Sequence, residues 1–165
     1  MNRLFALLVI GALALGATAC ASEEAAPEPQ TVTTAATDAS LPTVTVYKTP
    51  TCGCCSLWVD HMAENGFPTR TYDVESTAQI REQYNMPATV GSCHTATVDG
   101  YVVEGHVPAE TVKKMLKEKP DIVGITVPGM PIGSPGMEVE GRPADPYDVL
   151  AVDADGSTEV YAEIR

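Results

Sequence analysis

Basic side chains are scarce in this sequence: 10 Lys and Arg stand against 22 Asp and Glu, for a formal net charge of −12 at pH 7. A surface of that sign repels the phosphate backbone, which argues against nucleic acid as a partner. The acidity is what a solvated domain surface looks like, and it also attracts cations; the two readings are compatible. Equally absent is an apolar run long enough to remain in a bilayer. The run Leu4 to Leu15 falls short of the roughly 20 residues that a spanning helix needs. It follows Arg3 and leads to Ala17-Thr18-Ala19 directly before Cys20, the pattern of a cleaved export signal over residues 1–19.

Cys20 fits two kinds of processing. Ordinary signal peptidase accepts the small residues Ala17 and Ala19, and lipoprotein processing makes Cys20 the lipidated amino terminus. A lone thiol on a tail is a liability in an oxidising compartment, whereas an acylated cysteine is an anchor. The reading is therefore a lipoprotein tethered at the periplasmic or extracytoplasmic face, with a soluble periplasmic protein as the alternative. Residues 20–40 lack large apolar side chains and are rich in Ala, Glu, Pro and Thr, so they read as a disordered linker. Residues 41–165 are left to form one compact domain.

Within that domain, Thr43 to Tyr47 alternates like a strand and runs into Lys48-Thr49-Pro50. Cys55, Trp58, Val59 and Met62 then recur at helical spacing until Asn65-Gly66. A second strand over 69–74 and a short polar helix over 77–84 complete a β-α-β-α order. Asp99-Gly100 between 95–98 and 101–104 is a strong hairpin signal. Pro108 opens a further helix that Pro120 ends. Residues 128–146 show neither period and carry Pro-Gly-Met twice, ending at Met130 and Met137. Residues 149–152 and 158–162 flank the turn Asp153-Ala154-Asp155-Gly156 as a final hairpin. That turn lacks the later ligand positions of a calcium loop. The expected fold is α/β: a sheet with flanking helices, a Pro/Gly/Met-rich loop and a C-terminal β-hairpin.

Chemistry concentrates in the cysteines. Cys52, Cys54 and Cys55 lie within four residues at the start of the first helix, and Cys93 stands alone. Cys52 and Cys55 form a C-x-x-C after a strand, the register of a thiol-disulfide site, but Cys54 stands between them where such enzymes commonly have Pro. The positive end of a helix favours thiolate over thiol. Three crowded thiolates repel one another, and a soft cation such as Cu(I) relieves that repulsion directly. A second cysteine knuckle, which a structural zinc site needs, is missing. A plain structural disulfide is the bland alternative, although adjacent Cys54 and Cys55 cannot pair without strain.

The junction at Cys93-His94 is expected to face the start of the first helix, bringing Cys93 to the cluster and His94 beside it. His106, after Gly105, is a candidate for the same edge of the sheet, whereas His61, in mid-helix, reads as solvent-facing. The thioethers of Met130 and Met137 suit Cu(I), on a loop that does not need them as core filler. Met62 and Met115 lie on apolar helix faces and read as core.

Four stretches in order, Thr49-Pro50-Thr51-Cys52-Gly53-Cys54-Cys55, Ser92-Cys93-His94-Thr95, Glu104-Gly105-His106-Val107-Pro108-Ala109 and the run from Val127 to Glu138, closely resemble the CopG-type copper-resistance family, long catalogued as a domain of unknown function. The resemblance spans about Val44 to Tyr161. It implies a thioredoxin-like fold, a periplasmic location and Cu(I) held by Cys52, Cys54, Cys55 and Cys93, as a cysteine-bridged cluster. Its neighbours would be His94, His106, Met130 and Met137. It also implies a redox role in copper handling and contact with other periplasmic copper-handling proteins. Two functions follow: a binder of Cu(I), with Ag(I) as a second soft ion, or a thiol-disulfide or copper oxidoreductase with Cys52 and Cys55 as its catalytic pair.

Overall fold

Val44 and Val46 alternate with polar neighbours, and this alternation buries one face of strand β1 (Val44–Lys48) completely. The computed structural model describes residues 41–165; the expected export signal, Cys20 and the expected linker lie outside the described residues. After β1 the chain turns through Thr49, whose carbonyl accepts from the Cys52 amide at 3.1 Å, and enters helix α1 (Gly53–Glu64). Trp58 and Met62, one turn apart, bury the inward stripe of that helix. Gly66, with a φ of 90°, ends it and returns the chain to strand β2 (Thr69–Asp73), parallel to β1.

Helix α2 (Thr77–Gln83) is short and starts with Ser76, whose hydroxyl accepts from the Ala78 amide at 3.2 Å. The hairpin of β3 (His94–Val98) and β4 (Tyr101–Glu104) turns on Asp99 and Gly100, both with positive φ, as a tight turn requires. Helix α3 (Ala109–Glu118) then crosses over to β5 (Gly124–Thr126), parallel to β4. β6 (Tyr147–Val152) and β7 (Thr158–Ile164) close a seven-stranded sheet in the order β2-β1-β3-β4-β5-β6-β7. The first four strands and their helices are the expected thioredoxin-like unit, and the protein has the expected α/β class.

Two elements were not foreseen, a 3-10 turn at Ala88–Val90 and β5. β5 is three residues long, opens on glycine and sits among Pro120, Asp121 and Pro128, so it shows no alternation. Its place is fixed by neighbours, β4 on one side and β6 on the other. The C-terminal hairpin consequently extends the main sheet. The core lies where α1 and α3 meet the sheet, and Trp58, Met62, Phe67, Val112, Met115 and Ile125 are its largest contributors.

Gly105 follows β4 with a φ of 73°, and a Cβ there would lie 2.6 Å from Ser92 Cβ and 2.7 Å from the Val127 carbonyl oxygen. Glycine therefore lets the segment before Cys93, the end of β4 and the exit of β5 meet. Gly105→Ala adds backbone strain and overlap together, and is expected to lower the unfolding free energy by about 2–4 kcal/mol in urea titrations.

Candidate metal centre

Two chain segments supply the cysteines. Cys52, extended at φ −78° and ψ 95°, precedes α1; Cys54 and Cys55 lie in its first turn. Cys93 arrives from the loop before β3, which pairs antiparallel with β1 and so begins beside the start of α1. The four sulfurs all lie within 4.8 Å of one another. Cys52 and Cys55 are joined in a disulfide, and Cys54 and Cys93 are free. The spacing left open a four-thiolate cluster and a Cys52–Cys55 pair, and this state holds the pair, because the C-x-x-C spacing places the Cys52 and Cys55 Cα atoms 5.4 Å apart, well within bridging range. The Cys52 and Cys54 sulfurs are 3.6 Å apart, and Cys55 Sγ is 3.6 Å from the Cys93 carbonyl oxygen.

His94 and His106 are both fully buried beside Cys93. His106 Nδ1 is 2.8 Å from the Pro135 carbonyl oxygen, which can only accept, so the proton sits on Nδ1. The lone pair of Nε2 then faces Cys93 Sγ at 3.0 Å. His94 Nδ1 is 3.4 Å from the same sulfur, and its Nε2 has no hydrogen-bond partner among the described residues. The His94 ring packs 4.4 Å from that of Trp58 and 5.1 Å, edge-on, from that of His106. Burial lowers the pKa of both imidazoles, His94 to about 3, so both are neutral donors at pH 7. Burial, with the adjacent Cys54, pushes the Cys93 thiol up to about 12. Helix-end activation does not extend to Cys93, which lies off the helix.

His61 is not solvent-facing. Its Nε2 accepts from the Ala109 amide at 3.1 Å and so caps α3, which Pro108 cannot do with its side chain.

The residues that hold Cys93 in place were not foreseen. Glu104, at the end of β4, is fully buried. Its carboxylate accepts from the Ser92 amide at 2.6 Å, the Thr95 hydroxyl at 2.6 Å and the Arg81 guanidinium at 3.1 Å. Ser92 and Thr95 flank Cys93-His94, so one carboxylate grips both sides of that dipeptide. Burial raises the Glu104 pKa, against the downward pull of Thr95, Ser92 and Arg81. The signal available in the sequence was an acidic residue ending an apolar strand, next to a glycine.

The loop between β5 and β6 brackets the cysteines. Ser92 Oγ donates to the Gly129 carbonyl on one side. On the other, a Cβ on Gly136 (φ 83°) would stand 2.8 Å from the Cys54 carbonyl oxygen and 2.9 Å from the Trp58 nitrogen. Met130, half-exposed, and Met137, half-buried, each directly follow one of these contact points.

The fold has solved counterparts. The structure of a copper resistance protein CopG in Form 1 is 40% identical, with a TM-score of 0.70; the match covers 76% of this chain and 98% of that one. Form 2 is 42% identical, with a TM-score of 0.69, covering 76% and 100%. The chain belongs to the CopG-type copper-resistance family. The profile of a family described as "Protein of unknown function, DUF411" matches residues 90–137, which hold Cys93, both buried histidines and both Pro-Gly-Met repeats. No curated protein matches the chain. The structural match covers more of the chain than the profile does.

Two predictions follow from the Cys93 environment. Glu104→Ala leaves the Arg81 charge and the Ser92 amide without their acceptor, and is expected to cost about 3 kcal/mol in denaturant unfolding. Alkylation needs the thiolate, so Cys93 should react very slowly with iodoacetamide at pH 8. Its rate should rise about tenfold per pH unit toward pH 11, read by peptide mass spectrometry. A Cys93 rate that is flat above pH 9 would contradict this.

Proposed function

We propose that the reduced protein binds Cu(I), and Ag(I) as a second soft ion, through Cys52, Cys54, Cys55 and Cys93. His94 and His106 stand as adjoining nitrogen donors, and Met130 and Met137 as outer thioethers. The observation that carries this reading is the convergence of four sulfurs from two segments within 4.8 Å of one another. Soft thiolates select Cu(I), and buried neutral imidazoles add donors without adding charge. The likeness to copper resistance proteins CopG supports copper as the cargo. Several ions bridged by cysteine sulfurs would use such close spacing fully.

A second reading has its own support. The Cys52–Cys55 disulfide lies at a strand-to-helix junction, as in thiol-disulfide enzymes, so the same pair can act as the catalytic dithiol of a thiol-disulfide or copper oxidoreductase. Export by residues 1–19, a lipid anchor at Cys20 and a periplasmic or extracytoplasmic site of action complete the proposal. These rest on the sequence pattern alone. The expected partners are copper ions, other periplasmic copper-handling proteins and, through the anchor, the membrane.

Anaerobically reduced protein should withdraw Cu(I) from a chromogenic chelator, and Cys54→Ser should weaken that withdrawal by about a hundredfold, as expected for loss of one donor from a chelating set. Failure of the wild type to compete would move the assignment to the dithiol oxidoreductase, in which Cys52→Ser abolishes turnover and Cys54→Ser does not.

A further inference from the structure

We infer that His61 is a pH-operated positioning residue: its neutral ring ties α1 to the start of α3, and protonation releases that tie and turns the ring toward the carboxylates of the cleft beside it. This goes beyond the copper reading and does not depend on it.

Helix α3 begins without a side-chain cap of its own, because Pro108 in the cap position has none to give. The Ala109 amide finds its acceptor on another helix, in His61 Nε2 at 3.1 Å. That contact fixes the tautomer. A ring nitrogen that accepts carries the lone pair, so the proton of the neutral imidazole sits on Nδ1. Protonating the ring sets a second N–H against the Ala109 N–H, at the positive end of α3, and two donors make no bond.

The tie is one of two. Trp58, three residues earlier on α1 and so on the same face, donates its Nε1–H to the Val107 carbonyl at 2.8 Å. Trp58 and His61 together hold Val107 to Ala109 against α1, and the buried His106 directly precedes that segment. The Trp58 bond does not titrate, so acid removes one tie and leaves the other.

A protonated ring has somewhere to go. His61 lines a cleft of about 260 Å³ with Leu57, Asp60, Glu64, Gly136 and Glu138. Charged groups face it from three elements: Asp60 and Glu64 on α1, Glu138 on the loop between β5 and β6, and Glu110 with Lys113 on α3, themselves paired at 2.8 Å. Burial, the largest influence, lowers the His61 pKa; Lys113 adds to that, and Glu138, Glu64 and Glu110 oppose it. The folded-state value lies below the ordinary one of about 6.5, so the tie is complete at pH 7 and is lost as the pH falls through the lowered value. An amide partner above that pH and carboxylate partners below it make a local two-state element.

The test is an NMR titration of the metal-free, 15N-labelled protein from about pH 7.5 to about pH 4.5. The Ala109 amide proton shift should move with the same midpoint as the His61 ring. Exchange at Ala109, corrected for its intrinsic pH dependence, should lose about tenfold in protection, as expected for one hydrogen bond. In His61→Gln, whose side-chain oxygen can accept the same bond at every pH, both steps should vanish. A step at Ala109 that survives in His61→Gln would overturn the inference, because another group would be driving it. A His61 ring that titrates while Ala109 stays unmoved, or a ring that stays neutral throughout, would overturn it too, and this comparison needs only the wild type. An equal loss of protection at Val46 in β1 would mark global unfolding and overturn a local device.

Discussion

A carboxylate taken wholly out of water must be held by fixed donors, and Glu104 finds three of them in the Ser92 amide, the Thr95 hydroxyl and the Arg81 guanidinium. Those donors come from α2, from the loop before β3 and from β3 itself, so a single charge ties together three parts of the chain. The loop so tied carries Cys93. Gly105, directly after Glu104, then lets Ser92 approach closely enough for the grip to form. The position of the fourth sulfur relative to the other three therefore traces back to a residue that never touches it.

The floor of the site is apolar in character although it is built partly from histidine. Trp58 donates its indole N–H to the Val107 carbonyl at 2.8 Å, which fixes the ring against His94. Such a floor keeps both imidazoles neutral, so they offer lone pairs and do not add positive charge. The protein's many carboxylates act at long range on a cation approaching from solvent. At the sulfurs of the proposed site, donor softness is the property that would select among cations.

Much of this arrangement was legible from residue patterns. The C-x-x-C register, the Asp99-Gly100 turn and the apolar stripe of α1 are local signals, and the strand, hairpin and helix they imply formed where expected. The approach of Cys93 to the helix start followed from the order of the elements. β5 was hidden because three residues carry no period and its pairing is supplied by β4 and β6. Glu104 and Arg81 were hidden because a charged residue in sequence looks like surface until its partners, far apart in the chain, are known. His61 misled for the same reason: its cap belongs to α3, 48 residues on. The joining of Cys52 to Cys55 was among the combinations the spacing allowed, and spacing alone does not choose among oxidation states.

The loop that carries the two Pro-Gly-Met repeats lies in backbone contact with the first turn of α1 at Gly136. A side chain at Gly136 would have to push the loop off that turn, so how closely the Pro-Gly-Met segment lies over the cysteines is set by one residue that has no Cβ.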